Sequence, residues 1–557
     1  MHAASAPCRC LLSIRRTRHN RSTHVPPCCS AASEVDVVVI GAGLGGLCTG
    51  ALLSRYGKRV LVCESHSVAG GAAHTFKRAG FHFESGPSLF SQLLDKPSDN
   101  PLAQVLQAVG DDTLRVHRYN TWHVHIPEGS FVTNVGDDQF LDCLRKYVDA
   151  DAAKEWTQLV SDMRPLSVAS TSIPAAAARA DAFALFSLGR FLPRLLSSGD
   201  TASAVPYLLH PFSAYLRDRT AVKHPFLLKW LDLLCFLLSG APADGTAAAE
   251  IGFMFQDWYR PGSCLEYPIG GSQAIVDALV KGLVRHGGQL KLNTHVDSIL
   301  VDGFGRANGV ALRGGAIVRA KQAVISNASC WDTLRLLPAN ARGRDEFAQS
   351  AESTAMCDSF MHLHLGIDAT GLDAKSLEMH HISLDEWDVT APQNLVLVSI
   401  ASIADPSLAP PGCHVIHAYT PATEPWEVWK DVQPGTPEYE ALKEQRSQVL
   451  WRAVEKAIPD VRSRVKVQMV GTPHTHGRYL RRTQGTYGGT GWLSGLSDGG
   501  SPPLPTAFTP VEGLLCVGDS LFPGPGVPAV AASSLSAAHA LVGPMEQCAM
   551  LDSVLPR

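Results

Sequence analysis

The sequence contains no run of 18 uncharged apolar residues, so no segment of it reads as a membrane-spanning helix. Fourteen cysteines are present, four of them before residue 30, and no C-x-x-C occurs among the other ten. Neither a zinc ribbon nor a redox pair is written here, and those ten read as small buried hydrophobes in a reducing compartment. Basic patches interleaved with aromatics are missing as well. The first 33 residues lack acid altogether while holding Arg9, Arg15, Arg16, Arg18, Arg21 and five serines. Setting those five arginines aside reduces 48 basic residues to 43 against 52 acidic, a balance of −9. An acidic chain without basic–aromatic patches argues against nucleic acid as a partner. The leader itself reads as an organelle transit peptide, with a disordered basic tail as the alternative.

What is present centres on Val35–Glu64. The β-branched run Val35–Ile40 predicts a buried parallel strand. Gly41, Gly43 and Gly46 follow it as G-x-G-x-x-G, and Leu44 opens a predicted helix that ends before Gly57. Arg59–Cys63 predicts the second strand, with Glu64 at its end, 18 residues past Gly46. In such a unit the glycines permit a tight turn, backbone approach to a pyrophosphate and close helix–strand packing, while the acid accepts from a ribose. The bare glycine pattern is weak; its strand–helix–strand–acid setting makes this a dinucleotide site, with NAD and FAD equally open.

The Gly70–Gly71 pair reads either as a continuation of that backbone cradle or as a simple turn. A capped helix is predicted at Asn100–Gly110, strands near 114–126 and 130–134, and a helix at Gln139–Val148. From about 150 to 255 the periodicity is helical. Within it, Pro225–Ser239 is apolar nearly all round, read as a core helix with a bilayer-dipping face as the alternative. Gln273–Arg285 predicts a helix, and strand signals follow at 290–292, 296–301, 309–312, 317–319 and 323–328. Phe360–Gly366, Leu395–Ile400 and His414–Tyr419 suggest a second, mostly antiparallel sheet. His362 and His364 share one strand face, but no further ligand can be named. They read as hydrogen-bonded sheet histidines, as do His380–His381 and His474/His476, and no metal is assigned. The last signal is an apolar strand ending at Gly518–Asp519, a Gly/Pro loop and a helix from Val527, with Pro528 in its first turn. A carboxylate after a strand suits a cofactor hydroxyl, and a helix N-terminus suits negative charge. No paired carboxylates, Ser-His-Asp set or activated cysteine emerges, so no catalytic residue is named.

Three blocks resemble the carotenoid desaturase and carotenoid isomerase family of flavoproteins over about Val35–Leu541. They are Val39-Ile-Gly-Ala-Gly-Leu-Gly-Gly-Leu with Glu64 and Gly70–Gly71; Tyr267-Pro-Ile-Gly-Gly-Ser with Gly288…Val296; and Val517-Gly-Asp-Ser-Leu-Phe-Pro-Gly-Pro-Gly-Val-Pro-Ala-Val. The third is the most specific and looks like the plastid isomerase-like branch. The resemblance implies FAD held by Gly41, Gly43, Leu44, Gly46 and Glu64, with Gly70, Gly71, Val296, Gly518, Asp519 and Val527. It also implies an apolar polyene substrate drawn from a membrane, peripheral membrane contact, a quinone or other electron partner, and a chloroplast location. The implied fold is α/β. A discontinuous Rossmann-type FAD domain (34–150, 256–335, 484–545) follows a leader (1–33), and a substrate domain of mixed antiparallel sheet and helices fills 151–255 and 336–483. One departure is that Ala72–Ala73 follow the Gly-Gly pair where bacterial desaturases and amine oxidases place arginine. That weakens transfer of the desaturase mechanism. The rival readings are an amine-oxidase-like enzyme acting on a polar substrate and a flavin-binding scaffold without catalysis.

Overall fold

The structure, a computed structural model, describes residues 33–136, 139–179, 181–196, 199–373, 376–490 and 506–555. Residues 1–32 of the expected leader lie outside the described residues. Ser33–Ile40 is the strand expected, and its apolar half, Val37–Ile40, is buried. It pairs in parallel with Val60–Cys63 on one side and with Ile317–Ser326 on the other. Gln289–Lys291 extends the parallel sheet beyond Val60–Cys63. Leu514–Cys516 runs in parallel beside Val324–Ser326, while the first half of the same long strand pairs antiparallel with Ala307–Leu312. Val296–Val301 closes that edge. Segments far apart in the chain thus build one seven-stranded sheet.

Two strand signals at 317–319 and 323–328 prove to be one ten-residue strand. Exposed Lys321 and Gln322 interrupt its apolar pattern and mark a shift of register, where the ladder passes from Val35–Ala320 to Val37–Ala323, but the strand continues through them. Helix Leu44–Arg55 lies against the sheet with eleven of its twelve residues buried. Its small residues permit this: a Cβ on Gly50 would stand 3.0 Å from Val62 Cγ2.

A second seven-stranded sheet runs in the order Val465–Gly471, His362–Asp368, Cys413–Tyr419, Val396–Ser399, His380–Ser383, Thr121–Ile126, Gly129–Asn134. Every pairing in it is antiparallel except that of His380–Ser383 with Thr121–Ile126. The expected boundary at 150 therefore needs correction, because the hairpin 121–134 belongs to the second sheet. His381 pairs with His123 across 258 residues of chain, and local sequence does not announce such a partner.

Helices Ala150–Ser172, Phe212–Arg219, Pro225–Ser239 and Ala248–Trp258 form a layer over this sheet. Pro225–Ser239 buries nine of its fifteen residues and stops at Gly240, which takes the left-handed conformation (φ +76°) of a helix C-terminus. It is a core helix. Among the described residues no helix is long and apolar enough to cross a membrane. Trp230, fully buried, stacks on Phe140 with ring centroids 4.8 Å apart and stands 5.8 Å from Trp122 of the sheet. Trp230→Ala is expected to cost about 3–5 kcal/mol, the range for deleting a large buried aromatic. Denaturant unfolding of the variant measures it.

Candidate functional site

The parallel strands end together at Ile40, Cys63, Ser326 and Cys516, and the loops after them border a cavity of about 630 Å³. A crevice beyond the carboxyl ends of parallel strands is where this sheet architecture takes its ligands. Ten of the eleven residues singled out by sequence line it: Gly41, Gly43, Leu44, Glu64, Gly70, Gly71, Val296, Gly518, Asp519 and Val527. Gly46 sits beneath, where a Cβ would come within 2.1 Å of Gly41 O. Gly41 turns at φ +90°. A Cβ on Gly43 would stand 2.6 Å from Asn327 Nδ2, and one on Gly71 would stand 3.0 Å from Gly43 Cα. The Gly70–Gly71 pair is more than a simple turn: Gly70 N donates to Ala42 O at 2.7 Å, which lays the pair against the first glycine loop.

Gly43 caps helix Leu44–Arg55 without a side-chain acceptor, so the N–H groups of the first turn keep their capacity for an anion. Helix Val527–Ala540 begins the same way, after Gly526 (φ +105°), with Pro528 in its first turn. Gly526, Val527 and Pro528 present that end to the cavity. Glu64 braces the cradle. Its Oε2 accepts from Ala42 N and its Oε1 from His66 N, each at 2.7 Å, and Oε1 also accepts from Ser65 Oγ at 3.4 Å, which leaves a lone pair on Oε2 for a hydroxyl. Thr294 N donates to Glu64 O at 2.7 Å, which sets Thr294, His295 and Val296 along the cavity wall.

Sequence reasoning missed several lining residues. Asn327, whose N donates to Ile40 O at 2.8 Å, wedges its amide between Gly43, Gly45 and Gly518. The only hint of it was a strand ending in polar residues. Asp519 is not free, since its Oδ2 accepts from Arg482 Nη2 at 2.5 Å. Arg481 and Arg482 bring positive charge to the same cavity that Ala72–Ala73 leave without it. Tyr487 also lines the wall, with Arg482 over its ring at 5.5 Å.

The far side of the cavity is apolar. Phe236, Leu237 and Leu238 come from helix Pro225–Ser239, Phe253 and Met254 from the next helix, and Ile382 and Leu397 from the second sheet. Among the described residues, His362 Nε2 and Tyr487 Oη are buried here without a partner. His362 Nδ1 lies 2.7 Å from Nε2 of His417, a residue from the neighbouring strand that the sequence did not connect with it. His364 donates through Nε2 to Glu84 O at 2.9 Å. Burial, reinforced by the neighbouring imidazoles, holds His362 and His417 well below the ordinary histidine range, so both are neutral at pH 7. Burial raises the thiols of Cys48, Cys63 and Cys516 to about 12, which removes them as nucleophiles. Glycines that let the loops close on one another, two uncapped helix ends and polar atoms unpartnered among the described residues together fit a dinucleotide carrying a planar ring.

Two measurements follow. Gly46→Ala, which drives a methyl into Gly41 O, is expected to lower the dinucleotide released on denaturation several-fold. Glu84 is pushed up to about 7 by burial, against the hydrogen bond from Ser272 N. Between the ordinary carboxyl value of 4.5 and about 7 the folded chain keeps a proton that the unfolded chain has lost, so stability falls as pH rises through that window. Glu84→Gln is expected to flatten this slope in unfolding curves recorded from pH 4.5 to 7.5, a range chosen to bracket it at roughly half a pH unit above.

Residues 44–542 match the family of flavin containing amine oxidoreductases. The chain is 32% identical over 519 residues to the chloroplastic prolycopene isomerase of Arabidopsis thaliana, covering 91% of this chain and 82% of that one. Its identity to the all-trans-retinol 13,14-reductase of Danio rerio is 25% over 525 residues, covering 88% and 83%. In fold it is similar to the crystal structure of an oxidoreductase from Methanosarcina mazei, with a TM-score of 0.59, 22% identity and coverage of 90% and 99%. The chain therefore belongs to the flavin-containing amine oxidoreductase family and is an FAD-dependent enzyme.

Proposed function

We propose that this enzyme acts on a carotenoid or related polyene in the plastid, by geometric isomerisation or by hydride transfer in desaturation or saturation. The observation that carries it is the continuity of one cavity from the glycine cradle to an apolar chamber walled by Phe236, Leu238, Met254, Ile382 and Leu397. The relatives named prolycopene isomerase and retinol reductase support a conjugated isoprenoid chain as the occupant of that chamber. The basic, serine-bearing leader supports the plastid. A polar amine finds less there, because the carboxylate of Asp257 is taken up by Ser91 Oγ and by Gln92 Nε2 at 2.8 Å.

In this reading the N–H groups of Gly43, of Gly71 and of the first turn of helix Leu44–Arg55 would face the pyrophosphate, and Gly46 holds that helix close. Glu64 would accept from the ribose and the Val296 backbone would border the adenine. Gly518 and Asp519, the latter held by Arg482, would meet the ribityl or pyrophosphate portion, and the Val527 helix end would face the ring. FAD, when bound, supplies the reversible electron-pair chemistry. The apolar wall excludes water and lays the polyene alongside, while Tyr487 and the neutral His362 border the reacting region without placing a charge in it. Isomerisation leaves the redox balance unchanged. Desaturation or saturation draws on an external partner such as a quinone, and a membrane is the natural source of the substrate.

Purified FAD-loaded enzyme, oxidised and reduced, incubated with poly-cis carotenes in lipid vesicles and followed by chromatography, tests this. Conversion toward the all-trans isomer by the reduced form without net consumption of reductant is expected. An unchanged profile of every carotene under both conditions overturns the reading.

A further inference from the structure

The second sheet carries three imidazoles on one face at the joint where its strands turn parallel. His123 and His125 are two apart on Thr121–Ile126 and so share a face, opposite Trp122 and Val124, which enter the helical core. His381 stands beside His123 in the parallel pairing of His380–Ser383 with that strand. One ligand nitrogen from each of the three lies within 4.8 Å of the other two.

The tautomers are set by what surrounds them. His381 Nε2 lies 3.1 Å from Glu378 O and must donate to it, since a carbonyl only accepts, which turns the lone pair of Nδ1 toward His125. Ser130 Oγ, from the next strand, lies 2.9 Å from both His125 Nδ1 and His123 Nε2. His125 Nε2 and His381 Nδ1 face each other at 3.3 Å. That is long for a hydrogen bond, and it matches the edge of about 3.3–3.4 Å between two nitrogens of a tetrahedron with metal–nitrogen bonds of about 2.0–2.1 Å. The Glu378 carboxylate, fixed by Thr121 Oγ1 at 2.6 Å, acts electrostatically on His123 and offsets cationic charge.

We propose that His123, His125 and His381 bind one borderline divalent cation of the Zn²⁺ type, away from the flavin cavity, with the Glu378 carbonyl and Ser130 as orienting partners. The site clamps hairpin 121–134 to strand His380–Ser383, where the ladder spans only three residue pairs. The other imidazole group, His362, His364 and His417, is less suited, since its nitrogens are committed to the His362–His417 bond of 2.7 Å and to the Glu84 carbonyl.

The test uses full-length, FAD-loaded enzyme stripped with chelator, titrated with Zn²⁺ and with Co²⁺ and followed by equilibrium dialysis and thermal unfolding. One ion per chain is expected, with a rise in the unfolding midpoint, because a cation that binds only the folded chain stabilises it. The double substitution His123→Gln/His381→Gln is expected to weaken uptake at least about tenfold while the chain retains its flavin. Absence of stoichiometric uptake, or unchanged affinity in the double variant, overturns the proposal. Should that variant not fold, anomalous scattering from Zn²⁺-soaked wild-type crystals decides. A peak bonded to His125 Nε2 and His381 Nδ1 upholds the site; a peak elsewhere, or none, overturns it.

Discussion

Backbone must meet backbone at the carboxyl ends of the parallel strands, and the rest of the site depends on that closeness. A methyl group on Gly71 would press on Gly43 Cα and one on Gly43 would press on Asn327, which also fills what space is left beside Gly45. The same lack of side-chain volume lets helix Leu44–Arg55 sit on the sheet and directs its first-turn amides into the cavity. Glu64 completes the arrangement from within by receiving amides of both neighbouring loops. The cradle is built chiefly of main chain.

This explains which parts of the molecule could be read in advance. A glycine needed for a turn or a close approach leaves a local mark, so Gly41, Gly43, Gly46 and the Gly518–Asp519 strand end were legible, as were most of the strands and helices around them. Asn327, Arg482 and His417 were not, because their importance comes from neighbours 37 or more residues away in the chain. Likewise the parallel joint of His381 with His123 has no local signature, and the boundary expected at 150 missed it. Lys321 and Gln322 misled differently, since two exposed residues inside a strand look like its end. The division into a cofactor unit and a substrate unit rests on which sheet each segment joins.

The second sheet and its helical layer meet the first at the cavity, and the chemistry of the two walls differs. The cradle offers amides, a braced carboxylate and the Arg482–Asp519 pair; the opposite wall offers hydrocarbon and imidazoles kept neutral by burial. A charged side chain on that second wall would favour a polar ligand and bring water with it. The Asp257 carboxylate on that wall is engaged by Ser91 and Gln92, and the hydrocarbon around it suits a long polyene, whose reaction needs enclosure more than acid–base help.

Leu514–Cys516 is the last strand of the first sheet in chain order, yet it lies against the inner end of Ile317–Ser326 and places Gly518 and Asp519 in the cavity. During synthesis, nearly 200 residues must emerge after Ser326 before this neighbour exists. Until then the apolar edge Val324–Ile325 is unpaired, and such an edge is an aggregation template. The nascent chain consequently carries one open flank of its central strand over a long interval, and the cavity wall formed by Gly518, Asp519 and Val527 is the last part of the cradle to exist.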